Sequence, residues 1–175
     1  MQQNILVAFF SHRGENYRNG RLVDLSEGNT EIAAKMIAEL TGAELFFIEP
    51  LKKYPQEYHA CTQEAKAELN AHARPQLVSY PENMDDVDTL ILCYPNWWGT
   101  MPMPVFTFLE RYDLSGKIIL PLCTHEGSAM GRSEQDIRKV CPQSSVRNGL
   151  AIRGSKVKDS GKDIQNWLRQ MGLLQ

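Results

Sequence analysis

The stretch Asp88–Glu110, "DTLILCYPNWWGTMPMPVFTFLE", decides how this chain is read. It opens on a continuous apolar run, Asp88 to Pro95, of strand length and with no polar alternation, the pattern of a strand covered on both faces. It then breaks into "PNWWGTMPMP", where the prolines and Gly99 hold the backbone and let another molecule approach closely. Val105 to Arg111 resumes as a short helix. Strand, rigid loop and helix in that order make one unit of an α/β fold. The loop carries Trp97 and Trp98 side by side. On an extended segment successive side chains point opposite ways, so one ring packs inward and the other faces the outside or a flat ligand.

The same unit recurs on either side. Asn4–Phe10 ("NILVAFF"), Ala43–Pro50 ("AELFFIEP") and Lys117–Thr124 ("KIILPLCT") read as further buried strands, and Val146–Gly154 as a weaker fifth. Between them lie helical patterns. Asn29–Gly42 places Ile32, Met36, Ile37 and Leu40 on one face, with Asn29 or Thr30 to cap its start and Gly42 to end it. Tyr54–Arg74 reads as largely helical, and Ser133–Val140 as a short helix. Ser160–Gly172 turns Ile164, Trp167, Leu168 and Met171 inward. Strands that are apolar throughout, alternating with helices, predict a parallel sheet in a doubly wound three-layer α/β/α sandwich. No repeat, linker or low-complexity tract divides residues 1–175, so a single domain is expected. One segment departs from the pattern. His12 to Gly28, "HRGENYRNGRLVDLSEG", is a long polar insertion between the first strand and its helix. A connection of that length is functional or carries its own hairpin, and Asn19-Gly20 is a hairpin-turn signal.

Composition narrows the function. Hydrophobic residues make up 42% of the 175 and charged residues 23%, with a net charge of −2. A non-specific nucleic-acid binder would carry a basic excess, so neither nucleic acid nor a membrane surface is an expected partner. No apolar run approaches the ~20 residues of a membrane helix. The start, "MQQNILVAFFSH", lacks a basic leader and cleavage site. The four cysteines, Cys61, Cys93, Cys123 and Cys141, form no C-x-x-C pair, and Cys93 and Cys123 sit in apolar runs as core residues. The expected compartment is the reducing cytoplasm.

In open α/β sheets ligands bind beyond the carboxyl ends of the strands, at the switch in strand order. Three loops stand there. After the first strand come Ser11 and, later, "EGNTE". Gly28 can take a positive φ there, and Asn29 and Thr30 start a helix whose free amides and dipole attract phosphate. After the third strand comes the tryptophan loop. After the fourth comes "CTHEGSAMG", where Thr124, Gly127, Ser128 and Gly131 suit contacts to a polar ring edge. His125 and Glu126 are the charged candidates beside it, and a protonated His125 would stand near a reduced, anionic ring.

Taken together, "FFS" followed by "GNT", then "YPNWWGTMPMPVFTFLE", then "CTHEGSAMG", resemble the flavodoxin family, in a branch with a long insertion in the phosphate loop. The resemblance covers nearly the whole chain. It implies a five-stranded parallel sheet of order 2-1-3-4-5 and bound flavin mononucleotide (FMN). It implies that Ser11, Asn29 and Thr30 hold the phosphate, with Gly28 permitting the turn. It also implies that Pro95, Asn96, Trp97, Trp98 and Gly99 wrap the isoalloxazine ring, and that Thr124, His125, Glu126, Gly127 and Ser128 line its other edge. The compact phosphate loop of the family is split here, so Arg13 serves either the phosphate or only solubility. No inserted loop interrupts the fifth strand, which matches the short-chain form.

The resemblance implies electron transfer through FMN, toward a redox partner protein or a small-molecule acceptor, by a monomer or homodimer. An aromatic, poorly hydrated pocket would disfavour a charged reduced flavin. Carriers of the family tend to be strongly acidic near the flavin, whereas His12, Arg13, Arg18 and Arg21 place basic groups in this insertion. An FMN-dependent NAD(P)H:quinone-type reductase is therefore the alternative, and a module that no longer binds flavin is a third. G-x-G-x-x-G, G-x-S-x-G and an aspartate cluster after the first strand are all absent, which sets aside dinucleotide-binding, hydrolase and phospho-receiver readings.

Overall fold

A computed structural model describes residues 3–175. In chain order the regular elements are β1 (Ile5–Phe9), β2 (Gly14–Arg18), β3 (Arg21–Leu25), α1 (Asn29–Thr41), β4 (Glu44–Phe47), α2 (Tyr58–Asn70), β5 (Thr89–Pro95), α3 (Met103–Glu110), β6 (Ile118–His125), α4 (Ser133–Val140), β7 (Ser145–Val146), β8 (Leu150–Arg153) and α5 (Gly161–Gln170). The main sheet is parallel and runs β4-β1-β5-β6-β7, with β8 also pairing β6. Since β7 and β8 are two pieces of the expected fifth strand, this is the order 2-1-3-4-5 on a flavodoxin-like plan.

The alternation of side chains along each strand builds two cores. Leu6, Ala8 and Phe10 with Leu90, Leu92 and Tyr94 face α2, α3 and α4, where they meet Cys61, Val105, Phe108 and Ile137. Val7, Phe9, Ile91 and Cys93 face α1 and α5, where they meet Ala33, Ile37, Ile164 and Trp167. The inward face of α1 is centred on Thr30, Ala33, Ala34 and Ile37, while Ile32, Met36 and Leu40 lie at its margin, partly buried. Small alanines bring the helix close to the sheet, which pushes the larger side chains to the flanks. All four cysteines are buried and free.

The fifth strand is broken at 147–149. Its ladder shifts by one residue between the pairs Ile119↔Val146 and Leu122↔Leu150. The break falls opposite Pro121, which has no N–H to give, and a one-residue bulge is the usual accommodation. The helix expected over Tyr54–Arg74 starts only at Tyr58. Glu57 caps it, its backbone extended and its carboxylate accepting from the amides of His59 and Ala60, and the residues before it are irregular. Among the described residues no helix is long and apolar enough to cross a membrane.

The insertion is a two-stranded antiparallel ribbon, β2–β3, apart from the main sheet. Asn19 and Gly20 have φ of 52° and 76°, the two positive values that a tight hairpin turn with the strands' own twist requires. The ribbon docks on the segment leading into α2. Glu15 N–H donates to the Gln56 carbonyl at 2.9 Å, and Tyr58 N–H donates to Glu15 Oε2 at 3.1 Å.

Candidate functional site

The carboxyl ends of β1, β5 and β6 open on one cavity of about 450 Å³, within the usual range of small-molecule sites. Of the residues singled out from the sequence, Ser11, Asn29, Thr30, Pro95, Asn96, Trp97, Trp98, Thr124, His125 and Glu126 line it. Arg13, Gly28, Gly99, Gly127 and Ser128 do not.

At one end stands the start of α1. No side chain of its own caps this helix, contrary to what Asn29 and Thr30 lead one to expect. The Thr30 hydroxyl is instead hydrogen-bonded to the Thr124 hydroxyl at 2.7 Å, which ties α1 to the end of β6. The cap comes from across the loop, where Glu31 N–H donates to Ser11 Oγ at 3.1 Å. Gly28 makes this possible by its size. Its φ is −68°, an extended conformation open to any residue, so the expected positive φ is not used. A Cβ at Gly28 would collide with Ser11 Oγ and stand 2.9 Å from the His12 carbonyl oxygen. The Asn29 side-chain oxygen is buried here without a hydrogen-bond partner. An orphaned acceptor beside a helix start with free amides is a place that a donor-bearing, anionic ligand completes.

Arg13 is committed elsewhere. Its guanidinium makes a two-point contact with the buried Glu31 carboxylate, at 3.1 and 2.8 Å, and Lys35 lies 3.4 Å from the same group. The Arg13 hydrogen bond, aided by Lys35, holds the Glu31 carboxyl below its ordinary range despite burial.

The tryptophan loop is a tight turn, not the extended segment read from sequence. Trp97 and Thr100 form a two-residue antiparallel bridge, and Trp98 and Gly99 between them have φ of 57° and 87°. A bulky residue at positive φ is strained, and such strain gathers at functional sites. The turn sends the two rings apart. Trp97 packs edge-on against Tyr54 and Phe10, with centroids at 4.9 and 5.1 Å. Trp98 is 48% exposed, and its Nε1–H donates to the Thr62 carbonyl at 2.9 Å. One ring packed inward and one half-exposed is therefore what the fold provides, by a turn rather than by alternation, and both line the cavity.

Asn96 locks this loop to the next one. Its Oδ1 accepts from Gly99 N–H and its Nδ2 donates to the Ala129 carbonyl, both at 2.9 Å. Gly131 packs against the Gly99 carbonyl so closely that a Cβ would not fit. In the third loop Gly127 N–H donates to His125 Nδ1 at 2.9 Å, which leaves the ring proton on Nε2. Burial, then the nearby Arg153, keep the His125 pKa below its ordinary value, against the pull of Glu126. His125 is thus neutral at neutral pH. Glu126 is held by Ser155 N–H at 2.8 Å and Arg153.

Sequence reading missed the opposite wall. Glu15, Asn16 and Tyr17 of the ribbon and Tyr58, His59, Cys61, Thr62 and Ala65 of α2 complete the cavity, with His12 beside them. The long insertion was the available signal, but nothing local showed where it would dock. The His12 ring is hydrogen-bonded to the Pro55 carbonyl at 2.9 Å, and burial lowers its pKa.

A helix start and two rigid loops meeting at the switch point of a doubly wound sheet define the class of ligand-binding α/β protein. The chain belongs to the flavodoxin family, whose model matches residues 21–171, from within the ribbon to the last helix. It is similar over nearly its whole length to a candidate flavoprotein from Bacteroides eggerthii, with 27% identity, 97% of this chain and 98% of that one covered, and a TM-score of 0.78. A second, from Bacteroides uniformis, gives 25% identity, 97% and 99% coverage and a TM-score of 0.75. A flavoprotein from Lactobacillus acidophilus, solved in complex with FMN, shares the fold at 15% identity, 90% and 97% coverage and a TM-score of 0.65. The search of curated proteins found no match.

Proposed function

We propose that the chain binds FMN in this cavity and passes electrons through it. The observation that carries this is the convergence of three separate segments on one cavity. They are the α1 start, with Gly28 making room for Ser11 and an orphaned Asn29 oxygen, the Trp97–Trp98 turn, and the Thr124–Glu126 end of β6. When bound, FMN would supply the redox chemistry.

The residues present fit that group. The amides at the start of α1, with Ser11, Asn29 and Thr30, would hold the phosphate, and the helix dipole favours its charge. Arg13 is left out of this set, because Glu31 already occupies its guanidinium. The Pro95–Gly99 turn and the Thr124–Ser128 loop would flank the ring, with Gly99, Gly127 and Ser128 shaping the loops from behind. The cross-links through Asn96 keep these loops from collapsing into the site, so the ring meets a preformed slot. Neutral His125 would offer its Nε2–H as a donor. Trp97, packed on Tyr54 and Phe10, keeps water from the floor.

The test is the visible spectrum of the purified protein. Flavin bands near ~370 and ~450 nm, with one FMN per chain, support the reading. A sample that stays colourless after incubation with FMN refutes it. Riboflavin, which lacks the phosphate, is expected to bind at least ~10-fold more weakly, the loss of about 1.4 kcal/mol at the helix start.

A further inference from the structure

A second cavity, of about 240 Å³, lies at the opposite end of the strands and shares no lining residue with the first. Thr89 and Ile118, which start β5 and β6, line it together with Leu120, Arg147, Met171 and Leu173. The side chains of Gln3 and Gln170 complete the lining. The FMN reading assigns none of these residues a task. The end of α5 above the cavity is closed on itself, since the amides of Gly172 and Leu173 donate back to the Arg169 and Leu168 carbonyls at 3.0 and 2.9 Å.

One residue breaks the pattern of this face. Side chains alternate along a strand, so Thr89, Ile91 and Cys93 of β5 point the same way, as do Ile118, Leu120 and Leu122 of β6. All of these except Thr89 pack in the apolar core beneath α1 and α5. Thr89 is 1% exposed, and its hydroxyl has no hydrogen-bond partner among the described residues. Such a group costs about 1–3 kcal/mol, which a valine of the same shape would avoid. Arg147 supplies the charge. It lies at the break in the fifth strand, where its amide donates to the Ile119 carbonyl at 3.0 Å, and a bulge re-aims the side chains it carries. Arg153, further along the same strand, is held by the Glu126 carbonyl, whereas the exposed Arg147 guanidinium meets no acceptor among the described residues. A free guanidinium, an apolar wall and an orphaned hydroxyl thus share one small cavity.

We propose that this second cavity binds a small hydroxylated monocarboxylate, with its carboxylate on Arg147, its apolar body against Ile118, Leu120, Met171 and Leu173, and its hydroxyl on the Thr89 oxygen. The volume is below the roughly 300–1,000 Å³ of sites for drug-sized ligands, which limits the molecule to about ten non-hydrogen atoms. Arginine stays charged and meets a carboxylate at two points. The ligand hydroxyl gives Thr89 the hydrogen bond that folding leaves unmade. Both the cavity and its ligand are independent of the FMN reading.

The experiment is isothermal titration calorimetry of the full-length protein with 4-hydroxybenzoate as the probe. Saturable binding is expected, with benzoate held about fivefold more weakly for want of the hydroxyl. Thr89→Val should bring the two probes within about twofold of each other, at little cost to the fold, because it removes the hydroxyl together with its unmade bond. Arg147→Gln should weaken 4-hydroxybenzoate about tenfold. Arg147 is exposed, so this variant decides the matter should Thr89→Val not fold. Saturation with FMN beforehand should change the affinity by less than about twofold, since the two cavities share no lining residue. The proposal is overturned if the parent shows no saturable binding, if benzoate binds it equally well, or if Arg147→Gln binds as the parent does. A hydroxyl preference that survives Thr89→Val, or competition between the probe and FMN, overturns it too. If the protein takes up no FMN, the cofactor reading fails separately, and the same titration on the FMN-free protein decides this proposal.

Discussion

Gly28→Ala should damage the site through space alone. The backbone there, at φ −68° and ψ 153°, suits alanine, so the unfolded chain would lose entropy to the benefit of the fold by about 0.4–1 kcal/mol. Against this stand two costs. The new Cβ would collide with Ser11 Oγ and lie 2.9 Å from the His12 carbonyl oxygen, an overpacking worth about 1–3 kcal/mol. Moving Ser11 aside also takes the cap from Glu31 N–H, about 1 kcal/mol more. The costs win, and net destabilisation of about 2 kcal/mol is expected, a fall in Tm of about 4–8 °C for a chain of this size. FMN affinity should drop about tenfold, as Ser11 leaves the helix start. Thermal melts followed by circular dichroism, and FMN titrations followed by flavin fluorescence, read the two effects. A cycle with Ser11→Ala isolates the cause. With the oxygen gone, alanine at 28 should cost at least ~1 kcal/mol less than in the parent. If Gly28→Ala melts with the parent and binds FMN equally well, the close approach of Ser11 and Gly28 has no part in the site.

Other expectations follow from neighbouring groups. His12 has a folded pKa below the ordinary 6.5, so the unfolded chain binds its proton more readily. Its contribution is therefore present above about pH 6.5 and is lost as pH falls from there toward the folded value. Urea melts from pH 8 to 5 should show the slope, and His12→Gln should flatten it. Glu31 shifts the same way from 4.5, and its stability is lost only at more acid pH, which separates the two in one series. Trp97→Ala, which removes a ring packed on Phe10 and Tyr54, should cost about 3 kcal/mol, whereas Trp98→Ala should cost under about 1 kcal/mol, since that ring is half exposed on a strained backbone. Denaturant midpoints for the pair would show it, and equal losses would contradict the division of the two rings. Arg13→Ala should lower stability, by leaving Glu31 with Lys35 alone, while FMN affinity holds within about twofold. A tenfold loss of FMN affinity would return Arg13 to the phosphate.

The sheet was legible because each strand is a short apolar run set between helices of ordinary period. Even the ribbon turn was announced by Asn19-Gly20, since few other pairs accept two positive φ values. The three loops could be picked out for the same reason, as they must follow strands 1, 3 and 4 of the parallel sheet. What could not be read depends on contacts distant in sequence. Nothing near Tyr17 says that it will meet Tyr58, because that contact is set by Gly14 approaching Gln56. Ser11 caps a helix that starts eighteen residues later, at Asn29, so the nearer Asn29 and Thr30 looked like the caps. Arg13 looked free for phosphate because its partner, Glu31, lies eighteen residues on, in the first turn of α1, and is buried by tertiary packing. Trp98 in a left-handed conformation runs against local preference, and no propensity rule would place it there.

The ribbon departs from and returns to the body at neighbouring points, for Gly14 pairs with Leu25 at its base. Residues between those two positions can therefore be lengthened, trimmed or exchanged without re-registering a single strand of the main sheet. Glu15, Asn16 and Tyr17 of the ribbon line the cavity, so exchanging residues 15–24 on the same base would give that cavity a different wall while the sheet beneath it stays as it is.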